Sequence, residues 1–330
     1  MADIAVIILN WNGERLLKEF LPSVVANTPA SIARVIVADN GSTDGSRELL
    51  AREFPTVEVM AFDKNYGFAG GYNRAVKAAG CRYTLLLNSD VLTPPGWIEP
   101  LHRLALSCPT MGAAMPKIRS YRSRTMFEYA GACGGFIDRN GYPYCRGRIF
   151  DTVEEDKGQY DTPMEVFWAT GAAMLVDTEA YLAAGGLDER FFAHMEEIDL
   201  CWRLLLNGHT NWVVPEAVVY HVGGASLDAT NPRKTYLNFR NNLLMLHKNL
   251  PDSTRGRRLL RRRLLDTLAW ARYVATGKWS HAGAIWRAHR DFARMRCDYT
   301  EHPPFDLLKG KPDILTSYYL KGRHTYDRLS

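Results

Sequence analysis

Ile4-Ala5-Val6-Ile7-Ile8-Leu9 is an unbroken apolar run of strand length, and four of its six residues are β-branched. Such a run reads as a strand buried on both faces, the condition of a parallel sheet covered by helices. Working outward from it, Leu16, Leu17, Phe20, Leu21 and Val24 recur at helical spacing. Arg34–Ala38 predicts a second strand ending at Asp39, Gly41-Ser-Thr-Asp-Gly45 a turn, and Ser46–Phe54 a helix. A third strand over Val57–Phe62 follows, then a helix over Ala69–Ala79 closed by Gly80. A fourth strand over Tyr83–Leu87 ends at Asn88-Ser89-Asp90. Repeated strand–helix units predict an α/β fold, Rossmann-like, with a mostly parallel sheet and helices on both faces. Ligands of such sheets bind outside the carboxyl ends of the strands. Polar residues stand at three of those ends: Asn10 and Asn12, Asp39 and Asn40, Asn88 and Asp90.

From about 125 to 165 the pattern loosens into Gly- and Tyr-rich, strand-like pieces. Val166–Val176 is the longest apolar run, at eleven residues, short of the ~20 that cross a bilayer. A short helix is expected over Ala180–Leu182 and a longer one over Glu196–Leu206, stopped by Gly208. Trp212–Val214 and Ala217–Tyr220 read as two short strands, followed by His221 beside Gly223 and Gly224. The composition changes near Leu250-Pro251-Asp252. We therefore expect a domain over 1–250, with a nucleotide-binding half (1–120) and an acceptor and catalytic half (121–250), then a basic helical extension over 251–330.

The 330 residues are 46% hydrophobic and 23% charged, which excludes a mainly disordered chain. Six cysteines lie at 81, 108, 133, 145, 201 and 297 without CxxC spacing, which argues against a cysteine zinc site or a disulfide framework and fits a reducing cytoplasm. The start, Met1-Ala2-Asp3, has no basic segment or cleavage site of a signal peptide. The net charge of +5 conceals a balance of +10 from Arg255 onward (17 Lys+Arg, 7 Asp+Glu) and −5 before it. Arg255, Arg257, Arg258, Arg261, Arg262 and Arg263 alternate with Leu259, Leu260, Leu264, Leu265, Leu268 and Trp270, and Trp279 and Trp286 follow. This amphipathic pattern over 255–296 suits an anionic membrane surface. A solvated helix packed on the domain by its leucines is the alternative. Nucleic acid attracts the same charge, but is not taken as a partner.

Five clusters could carry chemistry, one of them Val218-Val-Tyr-His-Val-Gly-Gly224, where His221 stands at a strand end beside glycines and reads as a structural histidine or as a ligand. Asp39 at a strand end could accept hydrogen bonds from a ribose or base, or form an Asx turn; Asp44 is expected to cap the helix after it. Asp90, also on a strand end, is placed to hold a hard divalent cation against a diphosphate, or serves only the loop before Pro94-Pro95. Lys64-Asn-Tyr-Gly-Phe-Ala-Gly-Gly-Tyr-Asn-Arg74 has glycines that admit a ligand beside a helix N-terminus, yet it matches neither GxGxxG nor a Walker loop. In Phe191-Phe-Ala-His-Met-Glu-Glu-Ile-Asp-Leu-Cys-Trp-Arg203, three acids open a helix. They could complement the helix dipole, pair as Asp199–Arg203, or present one carboxylate as a general base.

In order along the chain stand Ile7-Ile-Leu-Asn-Trp-Asn12, Ala38–Ser46, Asn65–Asn73, Leu87-Asn-Ser-Asp90, Gly171-Ala-Ala-Met-Leu175, Gly185–Phe192, Glu196–Arg203 and Pro215–His221. Together they resemble an inverting family 2 glycosyltransferase of the GT-A fold, in the branch of bacterial rhamnosyl- and galactofuranosyltransferases. The resemblance spans residues 3–250. It implies a nucleotide pocket of Asn10, Asn12, Asp39, Asn40, Asn65, Gly67, Asn88, Ser89 and Asp90. Asn88-Ser89-Asp90 stands where the family has its DxD-type motif, with Asn in the first place. Asp90, with His221 as a further ligand, would hold Mg²⁺ or Mn²⁺. The family's Glu-Asp pair falls on Glu196 and Glu197. The base is then Glu197, one methylene longer than the usual Asp, with Glu196 or Asp199 behind it. Trp168 and Gly171 would lie near the acceptor and Arg240 at the diphosphate. The implied reaction moves a sugar from dTDP-rhamnose or a UDP-sugar to a glycan or lipid-linked acceptor, at the cytoplasmic face of the inner membrane. A nucleotidyltransferase would share the acids but need a triphosphate loop; a degenerate, membrane-associated scaffold is the non-enzymatic alternative.

Overall fold

The computed structural model describes residues 2–223 and 231–329; Gly224 lies outside them. The first half is built as its patterns predict. Strands β1 (Ile4–Asn10), β2 (Ala33–Asp39), β3 (Glu58–Ala61) and β4 (Tyr83–Leu87) alternate with helices α1 (Glu14–Asn27), α2 (Ser46–Glu53) and α3 (Gly67–Ala79). All four strands run parallel, in the order β4-β1-β2-β3. The residues of β1 from Ile4 to Ile8 are buried, which its unbroken apolar run requires. Its register sets Asn10 beside Asp39.

Beyond Asp90 come β5 (Val91–Leu92), α4 (Glu99–Ser107) and β6 (Met111–Ser120). A small antiparallel sheet follows, of β7 (Gly135–Ile137), β8 (Pro143–Cys145), β9 (Arg148–Ile149) and β10 (Thr152–Val153). Then come β11 (Met164–Val166), β12 (Ala173–Asp177), α5 (Thr178–Ala183), α6 (Glu196–Leu206) and β13 (Thr210–His221). Among the described residues the main sheet has nine strands. It is more mixed than the sequence predicts. β12 lies antiparallel between β4 and β6, and β11 and β5 are antiparallel to β13. Antiparallel neighbours need no helical crossover, and that periodicity signal is missing between 121 and 177. The apolar run 166–176 is split between two strands by the turn before Ala173. The two strands expected at 212–220 are one strand of 12 residues, with a register shift between Val214 and Val218. Pro215 has no N–H to give the ladder, and the irregularity accommodates it.

Three helices complete the chain: α7 (Pro232–Asn249), α8 (Asp252–Ala275) and α9 (Trp279–Met295). The break at Leu250-Pro251 falls where the composition changes. The extension nonetheless returns to the domain: Tyr299 donates to Asp188, and the Ile314 amide donates to Asp138. α8 does not pack by its leucines alone. Its buried residues are Leu259, Arg262 and Asp266, with Arg262 bonded to Asp266 and Asn242 and stacked over Tyr142. Leu260, Leu264 and Leu268 are 62%, 62% and 68% exposed and form a stripe facing solvent. All six cysteines are free.

Candidate active site

The strand ends of β1 and β2 are laced into one rim. Asn10 Nδ2 donates to Asp39 Oδ2 (3.1 Å), the Ser42 amide to Asp39 Oδ1 (3.2 Å), and Arg47 Nε to Asp39 Oδ1 (2.6 Å). Burial opposes ionisation of Asp39, but the bonds from Ser42, Arg47 and Asn10 outweigh it and hold the carboxyl below its ordinary range. Asp39 is therefore both the Asx-type turn former and the charged floor of this rim. Its carboxylate is covered by protein groups, and half-exposed Arg47 is its outward-facing partner. The Thr43 amide donates to Asn12 Oδ1 (2.8 Å), and Asn12 takes a positive φ of 50° to meet it. Asp44 receives the amides of Ser46 and Glu14, tying the starts of two helices together.

Asn40 connects this rim to the glycine segment. It donates to Asn65 Oδ1 and the Gly67 carbonyl (both 3.0 Å) and accepts from the Tyr66 amide (2.9 Å). Of the three glycines only Gly67 meets open space. A Cβ on Gly71 would lie 2.6 Å from Leu9, so that glycine serves the packing of α3 on β1.

A second group forms where β5 pairs with β13. That pairing sets His221 opposite Val91, and so beside Asp90. His221 Nε2 lies 3.1 Å from Asp90 Oδ1 and 3.4 Å from Asn88 Nδ2, while its Nδ1 faces Glu128 Oε2 at 3.5 Å. Burial works against a charged ring, but the two flanking carboxylates outweigh it and push His221 up to about 10. Ser89, between Asn88 and Asp90, is partly exposed.

The third group is the start of α6. A Cβ on Gly171 would lie 3.7 Å from Glu197 Cβ and 3.8 Å from Phe68, so Gly171, Glu197 and α3 converge. Glu196 and Glu197 each keep a buried Oε2 without a hydrogen-bond partner. Burial raises Glu197, and burial together with the charge of Glu197 raises Glu196 well above the carboxylate range. Glu197 is the more accessible of the two. The turn before them is strained: Phe192, His194 and Met195 have positive φ (67°, 67°, 73°). Asn241 braces it by donating to the carbonyls of Phe191, Ala193 and His194.

Three expected residues stand elsewhere. Asp199 is fully buried and ion-paired to Arg203 and Lys248, with Asn249 as a further donor. Burial is outweighed by those cations and its pKa is lowered, so it is a structural anion and not a base. Trp168 is buried, with Nε1 donating to the Phe136 carbonyl (2.9 Å), and it packs on Gly135 rather than lining an acceptor cleft. Arg240 donates to the carbonyls of Arg190 and Phe191 and to Asn241, so its guanidinium braces the turn before Glu196. Arg47 and Glu128 were missed. Arg47 looks like any helical arginine, and Glu128 lies in the stretch without periodicity.

A divalent cation fits the Asp90–His221 pair: one oxygen and one nitrogen donor, close together and buried, suit Mg²⁺ or Mn²⁺. Among the described residues no group of three or more His, Cys, Asp or Glu could hold a metal by itself.

The fold is shared with known proteins. The structure is similar to S. aureus TarS (residues 1–349) in complex with UDP-GlcNAc, with a TM-score of 0.59 and 16% identity over 89% of this chain and 81% of that one. It is also similar to GalNAc-T7 with UDP, GalNAc and Mn²⁺, with a TM-score of 0.59 and 15% identity over 76% of this chain; the match spans about half, 49%, of that structure. The architecture is the GT-A glycosyltransferase fold. Residues 5–131 match the family model Glycosyl transferase family 2. The N-acetylglucosaminyl-diphospho-decaprenol L-rhamnosyltransferase of Mycobacterium tuberculosis is 29% identical over 238 residues, 67% of this chain and 76% of the relative. Succinoglycan biosynthesis protein ExoA of Rhizobium meliloti is 29% identical over 63% of this chain and 58% of its own length.

Proposed function

We propose that the protein is an inverting, metal-dependent hexosyltransferase of cell-surface polysaccharide synthesis. It takes a sugar from dTDP-rhamnose or a UDP-sugar to a hydroxyl of a glycan or lipid-linked acceptor. The observation that carries this reading is the convergence of Gly171 and Glu197, whose Oε2 has no hydrogen-bond partner, beside the strand end where the Asn88 amide donates to the Ala172 carbonyl (3.0 Å) and Asp90 meets His221. The rim of Asn10, Asn12, Asp39, Asn40, Asn65 and Gly67 receives the nucleoside, and Asn88, Ser89 and Asp90 lie at its diphosphate. Asp90 and His221 hold Mg²⁺ or Mn²⁺, which when bound offsets the charge developing on the leaving diphosphate. Glu197 takes the proton of the acceptor hydroxyl as that oxygen attacks the anomeric carbon. The carbon–oxygen bond to the diphosphate breaks on the opposite face, and the configuration inverts in one displacement. A raised pKa suits a base working near neutral pH.

The test is ¹H NMR of the protein with Mn²⁺, a polyprenyl-diphosphate N-acetylglucosamine acceptor, and dTDP-rhamnose or UDP-sugars in turn. A product anomer opposite to the donor's, with release of the nucleoside diphosphate, is expected. Release of pyrophosphate from a nucleoside triphosphate would instead identify a nucleotidyltransferase. No turnover with any donor would favour a scaffold.

We further infer that 255–296 rests on the anionic cytoplasmic face of the inner membrane. No helix among the described residues is long and apolar enough to cross a membrane. The Leu260–Leu264–Leu268 stripe, exposed Trp279 and Trp286, and exposed Arg257, Arg261, Arg263 and Arg287 offer apolar and cationic groups together. Cosedimentation with vesicles containing phosphatidylglycerol is expected, and not with pure phosphatidylcholine. Replacing the three leucines by serine should reduce binding at least tenfold without lowering Tm. Unchanged binding would refute this surface.

A further inference from the structure

Glu128 is a buried carboxylate without a lysine or arginine partner among the ion pairs of the described residues; within those pairs it meets His221 Nδ1 at 3.5 Å. Burying a carboxylate away from cations is costly unless other groups compensate. Its setting is nonetheless rigid. The Glu128 amide donates to the Ile118 carbonyl (3.0 Å), its carboxylate accepts from the Ala130 amide, and the next carbonyl, of Ala130, is held by Thr170 Oγ1 (2.8 Å). The approach from the other side depends on Gly223. A Cβ there would lie 2.6 Å from Glu128 Oε1, and Gly223 also has a φ of 69°.

A histidine that ligates through one ring nitrogen is oriented by what its other nitrogen meets. Here Nε2 lies 3.1 Å from Asp90 Oδ1, while the buried Nδ1 makes no hydrogen bond and faces Glu128 Oε2 at 3.5 Å, so this carboxylate is the group placed to receive an Nδ1–H and leave Nε2 for a cation. Resting on the transferase reading above, we propose that Glu128 is a positioning residue. It holds the His221 ring with Nε2 towards the cation site, and Gly223 is the residue that admits its carboxylate. Glu128 touches neither the cation nor the substrate and acts through His221.

The experiment measures Mn²⁺ binding to the full chain by EPR of free Mn²⁺, in the presence of saturating UDP or dTDP. Glu128→Gln should weaken Mn²⁺ binding 10–100-fold, the usual effect of losing such a partner, while nucleotide binding without metal is unchanged. His221→Ala should weaken it as well, and the double variant should be no weaker than His221→Ala alone. Gly223→Ala, which displaces the carboxylate and keeps its charge, should shift affinity the same way, and it carries the test if Glu128→Gln does not fold. Binding by Glu128→Gln within twofold of wild type would overturn the proposal, as would losses that multiply in the double variant. Wild-type protein that binds no Mn²⁺ with either nucleotide would overturn the transferase reading itself, and this proposal with it.

Discussion

Glu197→Gln is expected to lower transfer 10²- to 10⁴-fold, the range a positioned general base contributes. Metal-supported nucleotide binding should be unaffected. The same substitution should raise Tm at neutral pH. Glu197 is raised by burial, and Glu196 by burial and by Glu197, so the folded protein holds protons here above the pH at which the unfolded chain releases them. A group raised in the folded state favours folding most below its unfolded value, about 4.3, and that contribution is lost as pH rises through the folded value. A neutral glutamine removes the loss, so the stabilising effect should grow from pH 4 to pH 8. In the wild type the acidic limb of the rate profile should lie above the ordinary glutamate range, because the base must first be deprotonated. Near-normal turnover by Glu197→Gln would remove it from the mechanism, and Glu196 would be next to test.

Asp199→Asn is expected to be the most destabilising single change at the site, by about 3–5 kcal/mol in denaturant unfolding. Asp199 is fully buried between Arg203 and Lys248, and Lys248 also pairs with Asp188. Losing the Asp199 charge leaves two cations under-compensated inside the domain. Both aspartates are lowered in the folded state, where burial is outweighed by their cationic partners. Their contribution is present above the unfolded aspartate value, about 3.9, and disappears as pH falls through the folded values. The stability difference between wild type and Asp199→Asn should therefore narrow in acid. The acidic limb of the remaining activity should not move, because Asp199 is not the base. A shifted limb with unchanged stability would mean that Asp199 titrates in the reaction.

The parts of this site legible in the sequence are those that local pattern controls. β1, β2 and β4 end where their apolar runs end, so Asn10, Asp39 and Asn88 could be placed at carboxyl ends before any contact was known. The helix over Glu196–Leu206 has the expected bounds, and its acids were visible as alternatives. Their roles were not legible. Glu197 and Asp199 are two residues apart on one helix. Asp199 meets Lys248 and Asn249, which the chain brings back 49 and 50 residues later. The Asp90–His221 contact depends on β5, only two residues long, and Glu128 on a segment with neither strand nor helix period. α8 showed its amphipathic pattern plainly, but the inward face is anchored by Arg262, so the pattern alone could not tell which side was buried.

The central claim is most directly tested by calorimetric binding of UDP and dTDP, each with and without Mn²⁺, to wild-type protein and Asp90→Ala. The account predicts that one nucleotide binds, that Mn²⁺ tightens it at least tenfold, and that Asp90→Ala abolishes the tightening while keeping metal-free binding. Binding of neither nucleotide under any condition, or equal Mn²⁺ tightening in Asp90→Ala, would contradict it.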